Sequence, residues 1–515
     1  MNWGAPLAVL PDFTPSIRTM SSLCNKFRLA SSVVVLCLVL AVAPAYAAKN
    51  VIVMISDGAG YNSWLVASMY QGMVGKQVYD QPGWVTVSST TYPLNRSAAP
   101  TGNLVQDKAV VYDPFKAWDA TRIGPKPSDC AGYEYLTRTP TDSAASATAM
   151  ATGRKTYNGA INWADNDEPM TGENIAEIAK ERGKAAGVIT TVFWCDATPA
   201  GFGGAHNVNR KNYVQIANEM LCAPWLDVIM GAGNPDFDGD GRPKAMPKKA
   251  DYDCVGGRNT WNLLKEGRHP AGWKLIQSKE DFERLAAGSD PVPAKLLGVP
   301  QAEGTLQEKR GRGAVKFTSD KAVVTGQKLK VGEPFAEPFN KNVPSLAVMS
   351  KAAVRSLAQN PHGFYLMIEG GAVDWANHAN EPDRLIEEQI DFVQAVEAVV
   401  AWVDQNSNWD DTLLILTADH ECGHLWGPDS DKIPYQPLVD NGPGKMPGMR
   451  HNSNDHANSL VPIYARGTDA EYFKKLIKGK DERAAAVWHI SGEYVDDTDI
   501  FAVMKAAMER EKQNK

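Results

Sequence analysis

Four short apolar runs in the chain each stop at a carboxylate. Val51–Ser56 stops at Asp57, Val188–Cys195 at Asp196, Phe364–Ile368 at Glu369 and Thr412–Ala418 at Asp419. Acids gathered in one place repel one another severely unless cations sit between them. The pattern therefore predicts a site for several metal ions. Histidines accompany the acids. Asp374 and His378 are spaced to share a helical face, Asp419 and His420 are adjacent, and so are Asp455 and His456. A further segment, Thr141-Asp142-Ser143-Ala144-Ala145-Ser146-Ala147-Thr148-Ala149, offers a nucleophile. Thr141 or Asp142 can cap a helix that runs to a Gly153 stop, which puts Ser143 in the first turn. Free N–H groups and the positive end of the helix dipole make that turn an anion site. A hydroxyl there can attack phosphorus if a metal lowers its pKa. An ordinary capped, alanine-rich helix would carry the same residues.

The elements that must position these groups follow from their pattern. The four runs are short, apolar and largely β-branched or aromatic, so they read as buried strands of a mostly parallel sheet. In open α/β sheets the site lies beyond the carboxyl ends of the strands. A helix is expected from Thr171-Gly172-Glu173 through Ile175, Ile178 and Ala179 to Gly183. A longer one begins after Pro382, with Leu385, Ile386, Ile390, Phe392, Val393, Val396, Val399 and Val400 as its apolar side. Asp227–Met230 and Val461–Tyr464 read as further strands. The alternation predicts a doubly wound α/β core, a mostly parallel central sheet flanked by helices. Two segments break the rhythm and read as insertions: 235–345, rich in Lys, Gly and Pro, and 423–452, a long Gly/Pro loop. A loop that long in a compact domain is usually functional, and this one is expected on the active-site rim.

Residues 1–47 read as a secretory signal peptide. Lys26 and Arg28 form a basic region, Val33–Val42 is unbroken apolar sequence and Ala45-Tyr46-Ala47 is an A-x-A cleavage site. The apolar stretch is too short for a bilayer, which takes about 20 residues, and Met20 could serve as the start. The expectation is one catalytic domain over 48–515, exported to the periplasm or secreted, with no membrane span after cleavage. A net charge of −7 argues against a nucleic-acid-binding module. Cys130, Cys195, Cys222, Cys254 and Cys422 follow the signal. Five cannot all pair. Cys222 with Cys254 is the favoured disulfide, and Cys195 and Cys422 are expected as buried thiols beside metal ligands. Asp236, Asp238 and Asp240, at alternate positions before Gly241, could open a calcium turn or form a plain polar turn. Position twelve of an EF-hand count falls on Pro247, so the segment is no EF-hand.

Taken together, the motifs resemble those of the alkaline phosphatase family. The matching pieces are V-I-V-M-I-S-D-G at Asp57, D-S-A-A-S-A-T at Ser143, D-A-T-P-A at Asp196–Ala200, E-G-G-A-V-D-W-A-N-H at Glu369–His378, T-A-D-H at Thr417–His420 and D-H at His456. They come in the family's order and cover most of the chain after residue 47. The resemblance implies an alkaline-phosphatase-like fold, two zinc ions and one magnesium. It implies Asp374, His378 and His456 around the first zinc, and Asp57, Asp419 and His420 around the second, next to Ser143. Magnesium would take Asp57, Thr198 and Glu369, with Asp196 supporting through bound water. These N/O and all-oxygen donor sets suit zinc and magnesium respectively. Arg210, in His206-Asn207-Val208-Asn209-Arg210, is the implied phosphate clamp, since a guanidinium grips two phosphate oxygens at once. Trp375 stands where some members carry a polar or basic residue, which makes this pocket less polar. The implied activity is hydrolysis of small phosphate monoesters through a phosphoserine, in a homodimer as is usual for the family. A diesterase, a sulfatase and a catalytically dead binding protein are the alternatives. Arg210 argues against diesters, a serine in place of a modifiable cysteine argues against sulfatase, and the retained nucleophile and ligands argue against a dead protein.

Overall fold

The computed structural model describes residues 47–125, 129–311, 316–318, 321–323 and 332–509. The signal peptide expected at 1–47 falls almost wholly outside them.

Eleven strands form one sheet. From edge to edge they are Gly479–Lys480, Glu493–Asp496, Val85–Thr90, Val461–Gly467, Thr412–Thr417, Asn50–Ser56, Phe364–Gly370, Ala185–Phe193, Val228–Ala232, Leu296–Gly298 and Lys274–Ile276. The seven from Thr412–Thr417 to Lys274–Ile276 are mutually parallel. Val461–Gly467 runs antiparallel to both of its neighbours. All four apolar runs lie side by side at the centre. Ile55 is in register with both Thr417 and Glu369, and Glu369 with Thr190. Every residue of these strands is buried, which explains why their sequences show no alternation.

Helices cover both faces. Pro382–Asn406 opens with Pro382 at its first turn and buries all eight residues read as its apolar side. Full burial of such side chains contributes about 1.5–3 kcal/mol each. It packs against Leu346–Leu357, Tyr61–Gln71 and Ala372–Ala379. The helix expected at Thr171 begins later, at Ile175. Asn174 caps it by accepting from the Ala176 N–H, and Glu177 completes a capping box. Both Thr and Asn make good caps; Asn174 has Glu177 at the third helical position to reciprocate.

Within 235–345, Lys274–Ile276 and Leu296–Gly298 extend the parallel sheet at one edge. Within 423–452, Leu425–Trp426 pairs with Arg450–His451. Just outside that segment, Glu421–Cys422 pairs with His456–Ala457. These short ladders zip the long loop at its base and carry His456 back to the strand that ends at Thr417. None of the described helices is long and apolar enough to cross a membrane.

Candidate active site

The parallel strands end on one side of the sheet, and the loops that follow them bring the sequence-predicted acids together. Asp57 follows Ser56, Asp419 follows the strand that ends at Thr417, and Glu369 is the second-last residue of its strand. Asp374 and His378 lie on the helix Ala372–Ala379, which starts directly after Glu369-Gly370. Thr198 lies in the short helix Ala197–Phe202, capped by the Asp196 carboxylate, which accepts from the Ala197 N–H at 2.8 Å. A tight approach is built in at Gly58. Its φ is +68°, and a β-carbon there would come within 2.8 Å of the Asp374 Cα. Only glycine lets the chain turn there and leave Asp374 in place.

Two groups of side chains converge on points where a cation could sit. Asp374, His378, Cys422 and His456 present ligand atoms within 4.8 Å of one another, and so do Asp57, Asp374 and His420. His378 Nε2 and His456 Nε2 face each other at 3.0 Å, and His378 Nε2 is 3.3 Å from Asp374 Oδ2. The other ring nitrogens are engaged outside the site. His378 Nδ1 donates to the Asn454 carbonyl at 2.8 Å, and His456 Nδ1 to the Thr141 carbonyl at 2.9 Å. That tautomer leaves both Nε2 lone pairs aimed at one point. His420 Nε2 lies 3.0 Å from Asp419 Oδ2, 3.8 Å from Asp57 Oδ1 and 3.2 Å from Ser143 Oγ. Asp419 Oδ1 accepts from the Gly58 and His420 N–H groups at 3.0 and 2.9 Å.

Several buried oxygens in this cluster have no hydrogen bond: Asp57 Oδ1, Thr198 Oγ1, Glu369 Oε2 and Asp374 Oδ1. Buried polar atoms are rarely left so, and here they point to cations as missing partners. The electrostatics agree. Burial and then the neighbouring Asp419, Asp374 and Glu369 push the Asp57 carboxyl well above its ordinary range. Burial likewise lifts Glu369 to about 8. For Asp374 burial acts upward too, but His378 and His456 outweigh it and hold the carboxyl well below the usual range. Without a cation, the cluster is left to balance its charge with protons and imidazolium.

Ser143 opens the helix Ser143–Thr152, and Gly153 at φ +74° ends it. Asp142 is the cap, accepting from the Ala145 N–H at 3.0 Å. The same carboxylate accepts from Gly159 N–H at 3.0 Å and from Arg210 Nη1 at 3.1 Å. Arg210 Nη2 reaches Asp196 Oδ1 at 3.3 Å. Ser143, Arg210, Asp374, His378 and His456 share one cavity of about 810 Å³.

The structure places other expectations differently. Cys222 is exposed and unpaired, and Cys254 is also a free thiol, so the expected Cys222–Cys254 disulfide is absent. Cys254 instead lies within hydrogen-bond reach of Cys195, the buried thiol before Asp196. The carboxylates of Asp236, Asp238 and Asp240 are turned to protein groups. Asp236 accepts from Trp261 and Lys265, Asp238 from the Asp240 and Arg242 N–H groups, and Asp240 from the Gly311 N–H and Arg242. Asp236 Oδ2, Asp238 Oδ1 and both Asp240 oxygens are thus engaged by protein groups, as in a polar turn. His451 Nε2 donates to Asn377 Oδ1 at 3.1 Å, outside both metal-capable groups.

Three features have little or no sequence signal. Asp142 reads as a cap, and nothing in its spacing shows that it also holds Arg210. Cys422 is expected beside metal ligands, but its place in the first cluster itself follows from its ladder pairing with His456. Lys309, from the weakly patterned segment, sets its ammonium 4.5 Å from the Trp375 ring centroid.

Comparison with known proteins converges on one family. The alkaline phosphatase family model matches residues 132–441. Alkaline phosphatase of Escherichia coli K12 is 28% identical over 488 residues, covering 90% of this chain and 86% of that protein. Alkaline phosphatase 3 of Bacillus subtilis is 33% identical over 288 residues, covering 55% of this chain; the chain spans 49% of that relative's length. Among solved structures, the cold-active alkaline phosphatase of a psychrophilic Shewanella species superposes with a TM-score of 0.57 at 22% identity, over 90% of this chain and 100% of that one. Helices flank a mostly parallel sheet, acids and histidines crowd beyond its strand ends, a serine opens a helix beside them, and the matching family model spans most of those motifs: the chain belongs to the alkaline phosphatase family.

Proposed function

We propose that the protein hydrolyses phosphate monoesters to an alcohol and inorganic phosphate, with Ser143 as nucleophile. One observation carries the reading. Ser143 Oγ stands in the first turn of its helix, 3.2 Å from His420 Nε2 of one metal-capable group, in the same cavity as Arg210 and as Asp374, His378 and His456 of the other.

The donor chemistry fits the cations that the family implies. Asp374, His378 and His456 would hold one zinc, and Asp57, Asp419 and His420 a second. Asp57, Thr198 and Glu369 would hold magnesium, with Asp196 nearby. When bound, such cations supply Lewis acidity and neutralise charge at the phosphoryl group. The protein's own groups do the rest. The helix N–H groups and Arg210 take phosphate oxygens, with Arg210 aimed by Asp142 and Asp196. Ser143 Oγ gives up its proton to solvent and attacks phosphorus in line with the ester oxygen; the P–O ester bond breaks, and the departing oxygen takes a proton from solvent to leave as the alcohol. Water then cleaves the phosphoserine and restores the hydroxyl. The donors are set before the charge develops, which is what favours the transition state.

The signal-like residues before Ala48 support export to the periplasm or outside the cell, and a homodimer fits the family.

Acid quench during turnover of a labelled aryl phosphate, followed by peptide mapping, tests the reading. Label is expected on Ser143, and label on any other residue refutes the assignment. Metal analysis of the same preparation should show two zinc and one magnesium per chain.

A further inference from the structure

The cavity is lopsided. Its catalytic side is polar, but Phe193, Tyr213 and Trp375 also line it. They come from three separate elements: the end of the strand Ala185–Phe193, the start of the helix Tyr213–Cys222 and the helix Ala372–Ala379. The Phe193 and Tyr213 ring centroids are 5.4 Å apart at 89°, and those of Phe193 and Trp375 5.6 Å apart at 63°. Edge-to-face packing of this kind holds rings rigidly. Lys309 braces Trp375 from the insertion side. Phe193 is buried, whereas Tyr213 and Trp375 are half-exposed at the cavity.

Phosphate has no use for such a wall. It is small, highly charged and already served by Arg210 and the turn at Ser143. The wall therefore addresses the other half of the substrate, the leaving group. The cavity of about 810 Å³ is also far larger than phosphate needs and lies in the range of sites for drug-sized ligands.

We propose that Tyr213 and Trp375, backed by Phe193, form a leaving-group subsite for a planar aromatic ring, and that the preferred monoesters are nucleoside 5′-monophosphates. The inference rests on the phosphomonoesterase reading above. A base stacked on these rings while its 5′-phosphate sits at Ser143 and Arg210 would use both sides of the cavity. Stacking of a base on an aromatic side chain is sequence-tolerant, so purine and pyrimidine monophosphates would both be accepted.

The test compares adenosine 5′-monophosphate with ribose 5-phosphate. Both release a primary 5′ alcohol, so their chemistry is matched and only the base differs. A base–aromatic stack is worth roughly 5- to 150-fold, about 1–3 kcal/mol. The metal-loaded wild type should show a kcat/KM ratio in that range in favour of the nucleotide. Calorimetric titration of metal-loaded Ser143→Ala protein should show the same order of affinities without turnover. Trp375→Leu and Tyr213→Leu should each pull the ratio toward one, while Tyr213→Phe should preserve it. If a variant fails to fold, adenosine against ribose as inhibitors of the wild type makes the same comparison. Equal kcat/KM for the two esters, equal binding, or a ratio untouched by both leucine variants would overturn the subsite. Preferential nucleotide binding with no hydrolysis of either ester would leave the subsite standing and refute the phosphatase reading instead.

Discussion

Replacing Arg210 by serine separates phosphate recognition from the rest of the site. Arg210 spans two carboxylates, at 3.1 Å to Asp142 and 3.3 Å to Asp196, and its side chain is largely buried. That clamp aims the guanidinium at the cavity, where it can take two non-bridging oxygens of a monoester. Losing a donor aimed at a transition state costs about 2–4 kcal/mol. Monoester kcat/KM should therefore fall on the order of 30- to 1,000-fold at 1.4 kcal/mol per decade. A diester has only two free oxygens and cannot fill both the cation side and the arginine side, so its turnover should change little. The assay is steady-state hydrolysis of an aryl monoester and a bis-aryl diester by metal-saturated enzyme. The variant also strips the counter-charge from Asp142 and Asp196, which costs stability of about 1–3 kcal/mol per buried group left unsatisfied. Arg210→Lys controls for that loss: it keeps a charge but cannot bridge both carboxylates, so it should restore stability more than rate. Proportional loss on both substrates would refute the reasoning and make Arg210 a structural residue.

Other perturbations read other parts of the site. Ser143→Ala should cut monoester turnover by several orders of magnitude while metal content stays near wild type, checked by elemental analysis; a variant that keeps most of its activity would remove Ser143 as nucleophile. His456→Ala should lower zinc by about one per chain, since a tetrahedral site loses a ligand, whereas His451→Ala should leave zinc unchanged. Equal losses would mean that the wrong histidine is assigned. Burial pushes Asp391 up to about 6, with its carboxylate accepting from the Leu346 N–H at 3.2 Å. A carboxyl raised in the folded state binds its proton more tightly there than when unfolded. Its contribution is therefore lost as pH rises through about 4 to 6, and the folded state bears the cost above that. Asp391→Asn keeps the acceptor and removes the charge, so its melting temperature should exceed wild type at pH 8 and match it near pH 4. A higher melting temperature at both pH values would show that the gain is not electrostatic.

Much of this arrangement was legible because buried parallel strands advertise themselves. Asn50–Ser56, Phe364–Gly370 and Thr412–Thr417 are apolar but for their end residues, and the acids at or just past those ends are costly to bury without a purpose. Ser143 was legible for a similar reason, since cap, small residues and Gly153 mark one helix and its first turn. What was not legible is long-range pairing. Cys254 meets Cys195 and not Cys222 because a strand end brings them together, a fact that spacing does not encode. Lys274–Ile276 and Leu296–Gly298 are too short to show a period. The pairing of Asp142 with Arg210 has no local trace at all.

The order of strands in the sheet also bears on how the protein is made. Asn50–Ser56, near the start of the described residues, is inserted between Phe364–Gly370 and Thr412–Thr417, which are synthesised far later. The central strand cannot find its neighbours until most of the chain exists. Such high contact order predicts slow folding, with an apolar segment exposed for long periods. The same order makes the metal cluster a late product, because Asp57 and Asp419 adjoin only when the last central strand has docked. A cation that binds only the finished cluster pulls the equilibrium toward the native state by mass action, about 2.7 kcal/mol at a hundredfold excess over its dissociation constant. Chelator present during refolding should therefore lower the yield of native chain more than the same chelator added afterwards lowers its lifetime. Metal supply and folding efficiency become one variable in this architecture.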